Sequence, residues 1–72
     1  MAQRVQSVER ALGLLEALAS HRNPPTIPEL AKAAGVNRAT AWRLMNTLIY
    51  FDLAERDEIT GTYKVGPGAL RL

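Results

Sequence analysis

The chain has 72 residues, nine Lys and Arg against seven Asp and Glu, and a formal net charge of +2. That length holds one domain, which buries only about 60% of the surface its unfolded chain exposes and gains from association with a partner. The absence of cysteine excludes a disulfide scaffold and a cysteine-ligated zinc site, and a single histidine, His21, excludes a histidine-rich metal site. No apolar stretch approaches the roughly 18 residues of a membrane span, and no apolar run follows basic residues at the N-terminus. A cytoplasmic location is expected.

Ser7 is of the N-cap type, and Glu9 in the following turn suits the positive end of a helix dipole. Val8, Ala11, Leu12, Leu15 and Ala19 recur at helical spacing and predict the core stripe of a first helix. Leu14 and Leu18 fall off that stripe. Leu18 is expected to widen the core face, and Leu14 is either a lone exposed leucine or a dimer contact. The helix should end between Ser20 and Arg22, because Asn23-Pro24-Pro25 cannot continue it.

Thr26-Ile27-Pro28-Glu29 reads as a capping box, with Glu29 reaching back from the third helical position. Leu30, Ala31, Ala33 and Ala34 form a short second helix, and Gly35 stands where a left-handed C-cap is needed. Asn37 caps a third helix over Arg38 to Phe51. Ala41, Leu44, Met45 and Leu48 share one side of it. Ala39, Arg43, Asn46 and Tyr50 share the other, flanked by Thr40 and Trp42.

Asp52 is expected to end the third helix in the left-handed region, which Asp tolerates better than most residues. Leu53 to Asp57 predicts a strand, Glu58-Ile59-Thr60-Gly61 a turn, and Thr62 to Gly66 a second strand. Tyr63 and Val65 share one face of that strand, with Lys64 on the other. Gly66-Pro67-Gly68 breaks the hairpin, and Pro67 suits the start of another helix. The expected fold is therefore mainly α with a small β-hairpin, a winged helix-turn-helix of three helices plus wing. Its domain is expected over 4–66. Residues 67–72 are expected to begin a linker helix toward a further domain outside this sequence.

No carboxylate occurs between Glu29 and Asp52, whereas Lys32, Arg38 and Arg43 do. A helix-turn-helix with that charge pattern offers a cationic helix to a polyanion, and double-stranded DNA is the expected partner. The candidate contacts are Asn37, Arg38, Ala39, Thr40, Trp42, Arg43 and Asn46. Arginine can pair two hydrogen bonds with guanine or hold a phosphate, and Ala39 is small enough to let the helix approach a thymine methyl. The helix start near Thr26 is a second candidate phosphate site, by its backbone N–H groups. Arg56 and Lys64 are candidate phosphate contacts from the wing, opposed by Asp57 and Glu58 at its tip. Competing structural roles stand beside these: solvated charge for Arg38 and Arg43, a cap for Asn37, half-burial against the wing for Trp42, and packing beside the wing for Tyr50.

No catalytic constellation is visible, so no enzyme and no cofactor are expected. Ser7 and Ser20 fall at helix ends, His21 lacks an acid or nucleophile partner, and Asp52, Glu55, Asp57 and Glu58 suit a solvated strand and turn. A winged helix serving protein–protein contact through Leu14, Trp42 and Tyr50 is the alternative.

VQSVERALGLLEALA, TIPELAKAAGVNRATAWRLMNTL, LAERD and YKVGPGALRL together resemble the N-terminal winged-helix domain of IclR-type bacterial transcription regulators. The more specific parts are Ser7-Val8-Glu9-Arg10-Ala11, Thr40-x-x-Arg43-Leu44 and Tyr63-Lys64-Val65-Gly66. The resemblance implies operator binding as a homodimer or dimer of dimers, with Arg38–Phe51 as recognition helix and Thr40 and Arg43 facing DNA. It also implies dimer contacts through the first helix and a linker helix near Pro67. A small-molecule effector would act only through the C-terminal domain. Asp52 departs from the family's usual glycine.

Overall fold

A computed structural model describes residues 3–72. Helix α1 spans Gln6–Ser20, α2 Ile27–Ala34 and α3 Arg38–Tyr50. Strands β1 (Ala54–Asp57) and β2 (Thr62–Val65) form an antiparallel hairpin, and a short 3-10 helix follows over Pro67–Arg71. These are the elements of a winged helix-turn-helix.

The caps follow local chemistry. The Thr26 backbone N–H donates to Glu29 Oε1 at 2.9 Å, and the Thr26 hydroxyl donates to the same oxygen at 3.1 Å. Gly35 ends α2 at φ 69°, a left-handed conformation that costs glycine nothing sterically. The Thr40 N–H donates to Asn37 Oδ1 at 2.8 Å, so Asn37 caps α3. Asp52 takes the corner after α3 at φ 64°. At α1 the structure differs from the expected Ser7 cap. The helix starts at Gln6, and Val5, two residues before Ser7, occupies the cap position without a side-chain hydrogen bond. Arg4 reaches forward to Glu9 there, at 3.1 Å.

The larger correction concerns which face of α1 is buried. Leu14 is 0% exposed and Leu18 is buried with it, whereas Val8 and Leu12 are each 54% exposed. Ala11, Leu14, Leu15 and Leu18 form an i, i+3, i+4, i+7 stripe as regular as the one anticipated, and they share Ala11 and Leu15 with it. Periodicity alone cannot choose between two adjacent stripes. Packing against α2, α3 and β2 chooses the one holding Leu14, which therefore is neither a surface leucine nor a dimer contact. Leu14 and Leu18 meet Leu30, Met45, Leu48, Ala54 and Tyr63 in one core.

The hairpin pairs Ala54 with Val65, Glu55 with Lys64, Arg56 with Tyr63 and Asp57 with Thr62. Its fixed orientation comes from outside the hairpin. The Tyr63 N–H donates to the Pro25 carbonyl at 2.9 Å, and Thr26 bridges Thr62, so the segment entering α2 serves as a third edge for the wing. Tyr63 is buried under α1 and α3, which clamps β2 to the helices.

Candidate nucleic-acid interface

The outer face of α3 carries Arg38, Ala39, Trp42 and Arg43, all exposed, with Thr40 and Asn46 half-buried at its margins. The α1–α2 layer holds the opposite face through Ala41, Met45 and Leu48. Among the described residues, no carboxylate lies within ion-pair distance of Arg38 or Arg43. Both arginines therefore stand exposed and without an acidic partner, mounted on a helix fixed from behind. Asn37, also exposed, spends its side-chain oxygen on the cap and keeps its amide N–H groups free.

The wing residues behave differently from one another. Lys64 is exposed and lies 3.7 Å from Glu55 across the hairpin, on the outer face. Arg56 differs from the solvent-facing cation anticipated. Its side chain is only 18% exposed and turns inward. Nε donates to the Tyr63 hydroxyl at 3.0 Å, Nη2 donates to Asn46 Oδ1, and the guanidinium lies 4.0 Å from the Trp42 ring centroid. Such a stacked, multiply bonded arginine fixes three side chains at once. Trp42 is thus half-exposed, with one ring face covered by Arg56. Tyr50, by contrast, is 82% exposed and meets Phe51 edge to face, not the wing.

This four-residue knot was readable in part from the hairpin. A four-residue turn at 58–61 places Arg56 opposite Tyr63, and directly opposed residues share a sheet face. Burial of Tyr63 therefore carries Arg56 inward. The partner Asn46, ten residues earlier on another element, gave no sequence signal.

Thr26 uses both its N–H and its hydroxyl on Glu29, and hydrogen bonding from the Thr26 backbone first, then from its hydroxyl, holds the Glu29 carboxyl below its ordinary range. A carboxylate thus occupies the start of α2. At the wing tip, Asp57 accepts from the backbone N–H groups of Ile59 and Thr60, which likewise lower its pKa, the Thr60 bond contributing most. The tip stays anionic at neutral pH. No group of three or more metal-ligating side chains occurs among the described residues.

A free cationic helix face on a helix-turn-helix, flanked by a wing, defines a DNA-binding domain. Comparison with known proteins gives the family. The model of the IclR helix-turn-helix domain matches residues 7–58, and the chain belongs to the IclR family of transcription regulators. It is 33% identical over 72 residues to the glycerol operon regulatory protein of Streptomyces coelicolor, spanning 28% of that protein's length. An IclR-family regulator from Alicyclobacillus acidocaldarius superposes with a TM-score of 0.89 at 31% identity, over 96% of this chain and 28% of the other. The repressor BlcR of Agobacterium tumefaciens superposes with a TM-score of 0.83 at 27% identity, over 97% of this chain and 28% of the other. The chain is the DNA-binding domain of a transcription regulator.

Proposed function

We propose that the domain (4–66) reads an operator in double-stranded DNA by laying α3 in the major groove. Arg38, Arg43, Thr40, Asn37, Ala39, Trp42 and Asn46 form the contact surface. The observation that carries this reading is the pair of unpaired arginines, Arg38 and Arg43, on an exposed helix face without a carboxylate. Lys64 meets the backbone at the wing, in competition with Glu55. Arg56 acts by holding the wing to α3, and Thr26 by fixing the start of α2. Any phosphate held at α2 meets the remaining backbone N–H groups there against the repulsion of Glu29.

The protein works in the cytoplasm as a regulator and carries out no catalysis. It pairs through α1 and its cap residue, where Val5, Val8 and Leu12 leave an apolar ridge uncovered. A small core gives such pairing a further stabilising role. The chain spans 28% of the length of the glycerol operon regulatory protein it matches, and any small-molecule effector acts outside the winged helix.

The test is titration of labelled duplex at several salt concentrations. If Arg43 holds one phosphate, Arg43→Ala lowers the log–log salt slope by about 0.9. Unchanged binding by a folded Arg43→Ala protein would remove Arg43 from the interface. Binding that is absent or indifferent to salt in the unaltered chain would overturn the reading as a whole.

A further inference from the structure

We infer that Arg56 is a positioning residue that commits the Asn46 amide to donating only, so that Asn46 selects guanine over adenine in the groove. The inference rests on the reading of α3 as the groove-facing helix. It begins with the orientation of the amide. An arginine guanidinium has five N–H donors and no acceptor. The atom of Asn46 that meets Arg56 Nη2 must therefore be Oδ1, and the amide nitrogen points away from Arg56.

Arg56 cannot readily release that oxygen. Its Nε is held by the Tyr63 hydroxyl, Tyr63 is 2% exposed, and the guanidinium plane rests on Trp42. Trp42 and Asn46 lie four residues apart on α3, so the same arginine spans neighbouring positions of one helix face. The wing thus fixes the rotamer of a side chain on the recognition surface.

The consequence follows from base-edge chemistry. In the major groove guanine presents two acceptors, N7 and O6. Adenine presents an acceptor and a donor, and an asparagine reads it with oxygen and nitrogen together. An amide whose oxygen is turned to Arg56 offers its NH₂ alone. It satisfies guanine, and it sets donor against donor at adenine N6. A preference of about tenfold at one base pair is the expected size, within the discrimination that one such contact supplies.

The experiment selects duplexes from a random pool with the unaltered chain and with Asn46→Ala, Arg56→Ala and Asn46→Asp, each checked for folding by circular dichroism. The base pair whose preference disappears in Asn46→Ala carries guanine in the wild-type pool. Arg56→Ala turns the preferred base at that position from guanine toward adenine, a switch that mere loosening of the wing, which only weakens preferences, would not produce. Asn46→Asp keeps a partner for Arg56 but removes the outward donors, and the guanine preference is lost even if Arg56→Ala fails to fold. Adenine at that position in the wild-type pool, or no position levelled by Asn46→Ala, would overturn the inference while leaving the DNA-binding reading intact. A pool that the wild-type chain does not enrich at all would overturn both.

Discussion

Gly68 donates its backbone N–H to the Asp52 carbonyl at 2.8 Å, in a gap that admits no side chain. A Cβ on Gly68 would stand 2.5 Å from that oxygen, and one on Gly66 would stand 2.7 Å from it. Arg71 closes the same corner with an ion pair to Asp52 at 2.9 Å. The end of α3 and the segment leaving the wing are thereby packed backbone to backbone. Gly68→Ala is expected to destabilise the domain by about 1–3 kcal/mol, the usual cost of overpacking. For a domain of this size each kcal/mol lowers Tm by about 4–8 °C. Thermal unfolding followed by circular dichroism checks this, and an unchanged Tm would mean that the corner opens without cost.

Asp52 itself pays for its left-handed φ of 64°. Asp52→Gly removes the steric penalty and forfeits only an exposed ion pair, which contributes little. Asp52→Ala keeps the penalty and loses the pair. The glycine variant should therefore exceed the alanine variant in stability by about 1 kcal/mol. Urea midpoints of the two variants measure the difference, and equal midpoints would count against strain at this corner.

The assignment of faces on α1 is tested by a pair of leucines. Leu14→Ala should cost about 2–5 kcal/mol, because Leu14 is fully enclosed, and a domain this small is then largely unfolded. Leu12→Ala, on the open face, should change the stability of the isolated domain by less than about 0.5 kcal/mol. Chemical denaturation separates the two, and comparable losses would reject the buried stripe.

Self-association is tested on that open face. Leu12→Lys should abolish dimers seen by sedimentation equilibrium while leaving the circular dichroism spectrum unchanged. A Leu12→Lys variant that still dimerises would remove α1 from the pairing surface.

Acid sensitivity follows from Glu29 and Asp57. Both carboxyls are held below their ordinary values, 4.5 for Glu and 3.8 for Asp, by hydrogen bonds that only the folded chain supplies. Their contribution is complete above those values and is lost as pH falls through the lower folded-state pKa. Glu29→Gln and Asp57→Asn should each flatten the decline in urea midpoint below pH 4.5 and change its slope little above pH 6. A variant that declines as steeply as the wild-type chain would exclude that carboxyl as a cause.

Local chemistry was legible where a residue acts on its near neighbours. The capping box at Thr26 and Glu29, the Asn37 cap, the left-handed Gly35 and Asp52, and the turn over 58–61 each close within a few residues, so sequence alone determined them. The order of elements and the acid-free third helix followed from the same information. Tertiary structure decided what depends on a partner distant in sequence. Leu14 rather than Val8 and Leu12 became core because three other elements close over one of two equivalent stripes. Arg56 turned inward because Tyr63 is buried beneath it and Asn46, on a different element, supplies the acceptor. Short-range hydrogen bonds and steric limits are written into neighbouring residues, whereas burial is settled only when separate elements compete for the same apolar surface.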